Sequence, residues 1–280
     1  MHLLIILVAL VIAWSLRQHL PVLEMSNWQQ RFERTLFLFL FPPLLLLMTA
    51  IAVLCMGPQG QMVGLQAGWF SYILAAAWLG IAAFFCLKLG WQGWQAIRRA
   101  RECPKINFEG TDLRILDTEA LFAAQIGFWQ PELVVSQGLL KISREHLHSV
   151  LTHEQAHYYY RDTFWFFWLS WIRDCTAWLP NTNALWQELL ILRELRADCW
   201  AAQQVDPLLL AESLLMVVSD RTLEPDIFCA ALASYQVGDR LEQRINALLS
   251  PPYDITEPKL QSWSWFIFAC LPLFTVVLHS

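Results

Sequence analysis

Two histidines four residues apart, with a glutamate directly after the first, constrain this chain more than any other stretch: His153-Glu154-Gln155-Ala156-His157. In a helix, positions i and i+4 share a face with about 5–6 Å between Cβ atoms, so both imidazoles reach one ion. Zinc held by three protein groups keeps a fourth position for water and lowers that water's pKa to about 7. Glu154 then stands beside the open position, where a carboxylate takes the water's proton as it attacks a peptide carbonyl. A solvated helix that happens to carry two histidines is the competing reading.

A third ligand must come from a second helix packed on the first. The run Leu189–Asp198 reads as such a helix, and its Glu194 and Asp198 stand four apart on one face. Zinc-bound histidines commonly give their other ring proton to a carboxylate, which sets the tautomer. Glu194 as the third ligand and Asp198 as that acceptor account for two acids on a face otherwise expected to be buried. The competing reading leaves both acids exposed and paired with Arg193 and Arg196.

His-Glu-x-x-His followed by Glu-x-x-x-Asp on a later helix resembles the gluzincin class of metallopeptidases. The segment 131–140 (Pro-Glu-Leu-Val-Val-Ser-Gln-Gly-Leu-Leu) before the zinc helix, and Arg161-Asp162 after it, resemble the membrane-embedded peptidases related to the BlaR/MecR antirepressor receptors. A more distant likeness is to the HtpX and CAAX-protease group. The likeness runs from Leu113 to Leu249. It implies a zinc endopeptidase with His153, His157 and Glu194 on the metal and Glu154 as base. It also places the Arg244-Ile245 pair near the active site, where the guanidinium supports a ligand or the developing oxyanion. A surface ion pair of Arg244 with Glu242 or another acid is the alternative.

Composition decides where such a chain resides. Hydrophobic residues make up 56% of the 280 and charged residues 15%, against about 25% charged in ordinary soluble domains. The apolar excess falls in blocks, as membrane spans do. Residues 2–16 form the first block and have neither the basic start nor the cleavage site of a secretory signal, so an anchor is expected there. Residues 36–56 are a charge-free span, with Pro42-Pro43 expected to kink or start the helix. Residues 69–89 are a third span, between Trp69 and Lys88 as interfacial anchors. Residues 263–279 are a fourth. The expected organisation is thus a membrane region at 1–89, a catalytic domain at 90–262 and a C-terminal transmembrane helix at 263–280.

Basic residues orient these spans. Arg17, Arg31 and Arg34 lie between the first two, the 57–68 loop has no Lys or Arg, and Arg98, Arg99, Arg101 and Lys105 follow the third. The positive-inside rule therefore puts 17–35 and 90–262 in the cytoplasm, with 57–68 and both termini outside. Cys103, Cys175, Cys199 and Cys229 show no paired spacing, in keeping with free thiols in a reducing compartment.

Within 90–262 the pattern begins in strands: 112–118 alternate, 121–128 are apolar up to Gly127, and 131–136 are β-branched after a proline. A small antiparallel sheet is expected, offering an edge to an extended substrate. Ser143 is placed to cap the zinc helix, with Glu145 in its first turn. The aromatic run 163–179 is too short to be a span and carries Arg173-Asp174. Crossing there would also put Glu194 on the far side of the membrane from the histidines, so it is read as an interfacial or core helix. Asp206-Pro207 opens a further helix, and 238–249 form another. Pro251, Pro252 and Pro258 make a linker. A net charge of −5 and the absence of a basic face argue against nucleic-acid binding.

The expected fold is a mainly α membrane protein with a gluzincin-type α+β catalytic domain of zinc helix, second ligand helix and small antiparallel sheet. The expected protein is a multi-pass inner-membrane zinc endopeptidase facing the cytoplasm. Its partners are the lipid bilayer and a protein or peptide substrate; by resemblance the substrate is a BlaI-type transcriptional repressor, with membrane-protein turnover as the second option. The competing class is a non-catalytic membrane scaffold or sensor with a structural zinc site.

Overall fold

The computed structural model describes residues 2–19, 28–58, 61–62, 65–66, 68–108, 110–220, 237–250 and 264–277. The proline linker and Cys229 lie outside the described residues. In chain order the elements begin with α1 (His2–His19), α2 (Trp28–Met56), β1 (Gln61–Met62), β2 (Leu65–Gln66) and α3 (Trp69–Glu102). Four strands follow: β3 (Lys105–Phe108), β4 (Thr111–Leu116), β5 (Ala123–Ile126) and β6 (Glu132–Ser136). Then come α4 (Gln137–Leu140), α5 (Arg144–Tyr159), α6 (Asp162–Cys175), α7 (Thr182–Ala201) and α8 (Pro207–Ser219). The last elements are α9 (Val237–Leu249), α10 (Trp265–Ala269) and α11 (Leu271–Val277). The chain is mostly helical with a small mixed sheet.

It divides into two compact units, Met1–Leu87 with Trp171–Leu189 and Thr256–Ser280, and Lys88–Ser170 with Leu190–Ile255. Residues 171–189 group with the first unit, although the sequence pattern keeps 90–262 together. α6 and α7 each run unbroken through a unit boundary, and helical periodicity does not show which neighbours successive turns pack on.

α2, in the first unit, and α3, whose residues fall to the first unit up to Leu87 and to the second from Lys88, are long and apolar enough to cross a membrane. α2 starts at Trp28, ahead of the expected 36, and continues through both Pro42 and Pro43. Each proline removes an amide donor from the helical ladder. The carbonyl four residues before Pro43 is that of Phe39, and it accepts a hydrogen bond from Arg17 Nη2 at 3.1 Å. Arg17 is buried and also donates to Thr182 Oγ1 at 3.1 Å and Pro180 O at 3.3 Å, so the cation at the end of α1 is held by neutral acceptors. α3 continues past Lys88 to Glu102; its 34 residues span about 51 Å. The segment expected as one C-terminal helix is interrupted at Cys270 and forms the short α10 and α11. Pro272 sits in the first turn of α11, where a missing donor leaves no ladder bond unmade.

In the second unit the strand order is β3-β4-β6-β5. β3 pairs antiparallel with β4, β4 runs parallel to β6, and β5 pairs antiparallel with β6. The expectation of an all-antiparallel sheet is therefore corrected. The 117–122 connection carries the chain past one strand position, β5 forms the edge, and the tight return at 127–131 slots β6 between β5 and β4. Successive side chains alternate between faces. Leu113, Ile115, Leu133 and Val135 pack with Leu139 of α4 and Leu147 and Val150 of α5. Val134 and Ile126 pack on the other face against Ala100 of α3.

The 131–140 motif has a local reason. Ser136 Oγ accepts from Phe122 N at 3.0 Å and from Leu139 N at 3.1 Å, joining the 117–122 connection to the start of α4. Gly138 follows, and a Cβ there would lie 1.9 Å from the Glu119 carbonyl oxygen. Gly138→Ala must push backbone aside, and overpacking of this kind costs about 1–3 kcal/mol. A lowered thermal unfolding midpoint in detergent is the expected result, and an unchanged midpoint would show that the 117–122 connection yields freely.

Candidate metal centre

α5 is capped by Ser143, whose side chain accepts from His146 N at 3.3 Å. Helical periodicity puts His153 and His157 on one face, and both are buried. Their Nε2 atoms are 3.2 Å apart. α7 brings Glu194 to the same point, with Oε2 3.4 Å from His153 Nε2 and Oε1 3.7 Å from His157 Nε2. A tetrahedron of ligand atoms around zinc, with bonds of about 2.0–2.1 Å, has edges of about 3.3–3.4 Å. His153, His157 and Glu194 form a group that can hold a metal ion.

The other ring nitrogens explain why a cation fits. His157 Nδ1 is 2.7 Å from Asp162 Oδ2. His153 Nδ1 is 2.9 Å from Asp198 Oδ1, although off the line of a well-aligned hydrogen bond. Each carboxylate favours a proton on Nδ1, and with the proton there both Nε2 atoms offer a lone pair to one cation. The donor set, two imidazoles and a carboxylate, is one zinc accepts.

Asp162 is the site residue that sequence reasoning missed. The sequence marks it only as part of the Arg161-Asp162 pair that follows the metal-binding helix. Tyr160 closes α5, and Arg161 takes a left-handed conformation at φ 53° that reverses the chain. α6 therefore begins with Asp162 returned beside His157, five residues after it. A non-glycine residue at positive φ is uncommon, so no turn signal announced this. Asp162 is also held by an ion pair with Arg196, whose guanidinium lies 4.1 Å from the centre of the Tyr160 ring.

The remaining sequence-predicted residues gather here as well. Asp198 is buried and accepts two hydrogen bonds from Arg244 of α9, Nε to Oδ2 at 2.6 Å and Nη2 to Oδ1 at 2.7 Å. Arg244 Nη1 is 3.3 Å from Glu194 Oε2. Arg193 Nη2 is 2.6 Å from Glu194 Oε1, so that part of the surface-pair reading is present, but Arg196 turns to Asp162 rather than to Asp198. Burial pushes the Glu194 carboxyl up, and the charges of Arg193 and Arg244 outweigh it, holding that carboxyl well below the usual carboxylate range. Asp198 follows the same pattern, lowered by Arg244 against the effect of burial. Glu154 differs. Burial raises its carboxyl above the usual range, and the pull of His157 and His153 only partly offsets that. A raised carboxyl beside a metal-binding group is suited to accepting and returning a proton.

No family model matches this chain, and no curated protein does either.

Proposed function

We propose that this protein is an integral-membrane zinc endopeptidase. The observation that carries the reading is the convergence of two imidazole Nε2 atoms, 3.2 Å apart, and the Glu194 carboxylate, whose two oxygens lie 3.4 and 3.7 Å from them, with Glu154 on the same helix as the histidines. His153, His157 and Glu194 would hold the zinc, which would supply Lewis acidity at this site. Glu154 takes the proton of the attacking water and returns it to the leaving amine. Asp162 and Asp198 keep the histidine Nδ1 protons in place, and Arg244 holds Asp198. Among the described residues three side chains converge as ligands, where a structural site uses four. That favours catalysis over a scaffold.

The sheet edge supports a peptide substrate. Phe122 O accepts from Ser136 N at 2.9 Å, so the hydrogen-bonded pairs of β5 and β6 alternate from there. Ala123 and Gln125 then turn their backbone N–H and C=O groups away from β6. β5 packs on α5, where the Gln125 side chain donates to Glu154 O at 3.3 Å. An extended chain pairing with this edge would run alongside the metal helix. By the resemblance described above, the substrate is a BlaI-type repressor or a membrane protein. Cells carrying Glu154→Gln should accumulate that substrate intact, read by comparing protein N-termini across the two proteomes; identical proteomes would remove the proteolytic reading.

The location proposed is the bacterial inner membrane, with several crossings and the metal site on the cytoplasmic side. The two long apolar helices and the distribution of Lys and Arg support it. Cysteines introduced at Gln59 and Glu109, both outside the described residues, report orientation in a background lacking the native thiols. Gln59→Cys should react with an impermeant reagent on intact cells, and Glu109→Cys only after lysis. The reverse pattern would put the metal site outside and exclude a cytoplasmic repressor as substrate.

A further inference from the structure

The metal helix has a second working face. Gln155, Tyr158 and Tyr159 point away from the side carrying His153 and His157, and they line a cleft of about 390 Å³. One wall is aromatic and built from two segments. Phe128 and Trp129, at the turn between β5 and β6, meet Phe164 of α6 at ring distances of 4.9 and 5.1 Å. Tyr159, stacked on Trp200 of α7 at 5.8 Å, also lines the cleft, as does Arg161, the left-handed residue of the α5–α6 turn.

The chemistry of the lining selects a ligand. Arg161 is its one side chain with a full charge at neutral pH; it is exposed and forms no salt bridge among the described residues. Tyr158, Tyr159, Gln155 and Thr163 add hydrogen-bond donors, and no carboxylate is present. The cleft thus presents one cation and several donors to an anion, flanked by apolar rings. A small inorganic anion would leave the rings unused. Their exposure also extends past the cleft: Trp129 is 73% exposed, Tyr159 60% and Trp165, further along α6, 53%. Exposed tryptophan and tyrosine of this kind are typical of the bilayer interface, where the ring is apolar and its edge polar.

We propose that this cleft binds the headgroup of an anionic phospholipid from the bilayer. Arg161 pairs with the phosphodiester, and the Phe128–Trp129–Phe164 and Tyr159–Trp200 walls take the glycerol and the first acyl carbons. This goes beyond the peptidase reading and needs no metal at His153 and His157. Lipid retention and zinc content measured on the same samples separate the failure of one reading from the failure of the other.

The test uses the full chain in a non-ionic detergent, with phosphatidylglycerol or phosphatidylcholine of matched acyl chains added at equal mole fraction. Native mass spectrometry reads the lipid retained per chain. Phosphatidylglycerol should be retained roughly tenfold more than phosphatidylcholine, because the choline cation of the latter offsets its phosphodiester charge and is repelled by Arg161 in a partly dry site. Arg161→Gln should abolish that preference and Arg161→Lys should keep it. Trp129→Ala should weaken retention of both lipids alike, and Arg99→Gln, an exposed arginine outside the cleft, should change neither. Each variant is accepted only if its unfolding midpoint matches the parent. Equal retention of the two lipids, or a preference that survives Arg161→Gln, overturns the proposal. Displacement of the lipid by an equal concentration of glycerol phosphate also overturns it, because the site would then be one for a soluble phosphate.

Discussion

Protein purified in mild detergent should carry about one zinc per chain, and His153→Ala, His157→Ala and Glu194→Ala should each lose it. Taking one ligand atom from each side chain, the three groups lie within 4.8 Å of one another, so removal of any one leaves only two candidate protein ligands. Graded losses should surround this all-or-none set. Asp162→Ala and Asp198→Ala leave the ligands in place but release a histidine Nδ1 proton from its acceptor, and such changes cost about 10–100-fold in metal affinity. Elemental analysis reads the ligand variants, and competition with a chelator reads the two aspartates. Undiminished zinc in Glu194→Ala would remove the third ligand. Parental affinity in Asp162→Ala would reduce its contact with His157 to a structural pair with Arg196.

Glu154→Gln should keep its zinc and lose activity by about 10²–10⁴-fold, the usual contribution of a positioned general base. The amide has nearly the shape of the acid but cannot accept the proton of the attacking water. The two readouts together are decisive: retained zinc shows that the site is intact, and lost turnover of a peptide substrate assigns the base. Full activity in Glu154→Gln would move the proton transfer to another group. Arg244 offers a contrast. It touches Asp198 and Glu194, so Arg244→Ala should lower zinc affinity and activity together.

The one correction to the sheet and two further features of the fold have a common origin. β4 and β6 run parallel because β5 takes the edge, and nothing in the alternation of either strand states which neighbour it will have. α2 passes through Pro42 and Pro43 with Arg17, from another helix, bonded to the Phe39 carbonyl. The segment 171–189 packs in a different unit from the rest of the region to which the sequence pattern assigned it. In each case the deciding partner is far away along the chain.

What the sequence determined by itself is what a single helix determines. His153 and His157 share a face, Glu154 lies beside them, and Glu194 and Asp198 share a face of α7, because backbone hydrogen bonds four residues apart impose that period whatever surrounds the helix. Ser143 and the Asp206-Pro207 pair mark helix starts for an equally local reason, since they satisfy or remove amide donors of the first turn. Only the tertiary structure decided which faces meet. It brought Arg244 to Asp198 across 46 residues of chain and returned Asp162 to His157 through a left-handed Arg161. Those contacts depend on how helices pack and on a turn conformation that arginine rarely adopts, and neither is encoded in a spacing that can be read along the chain.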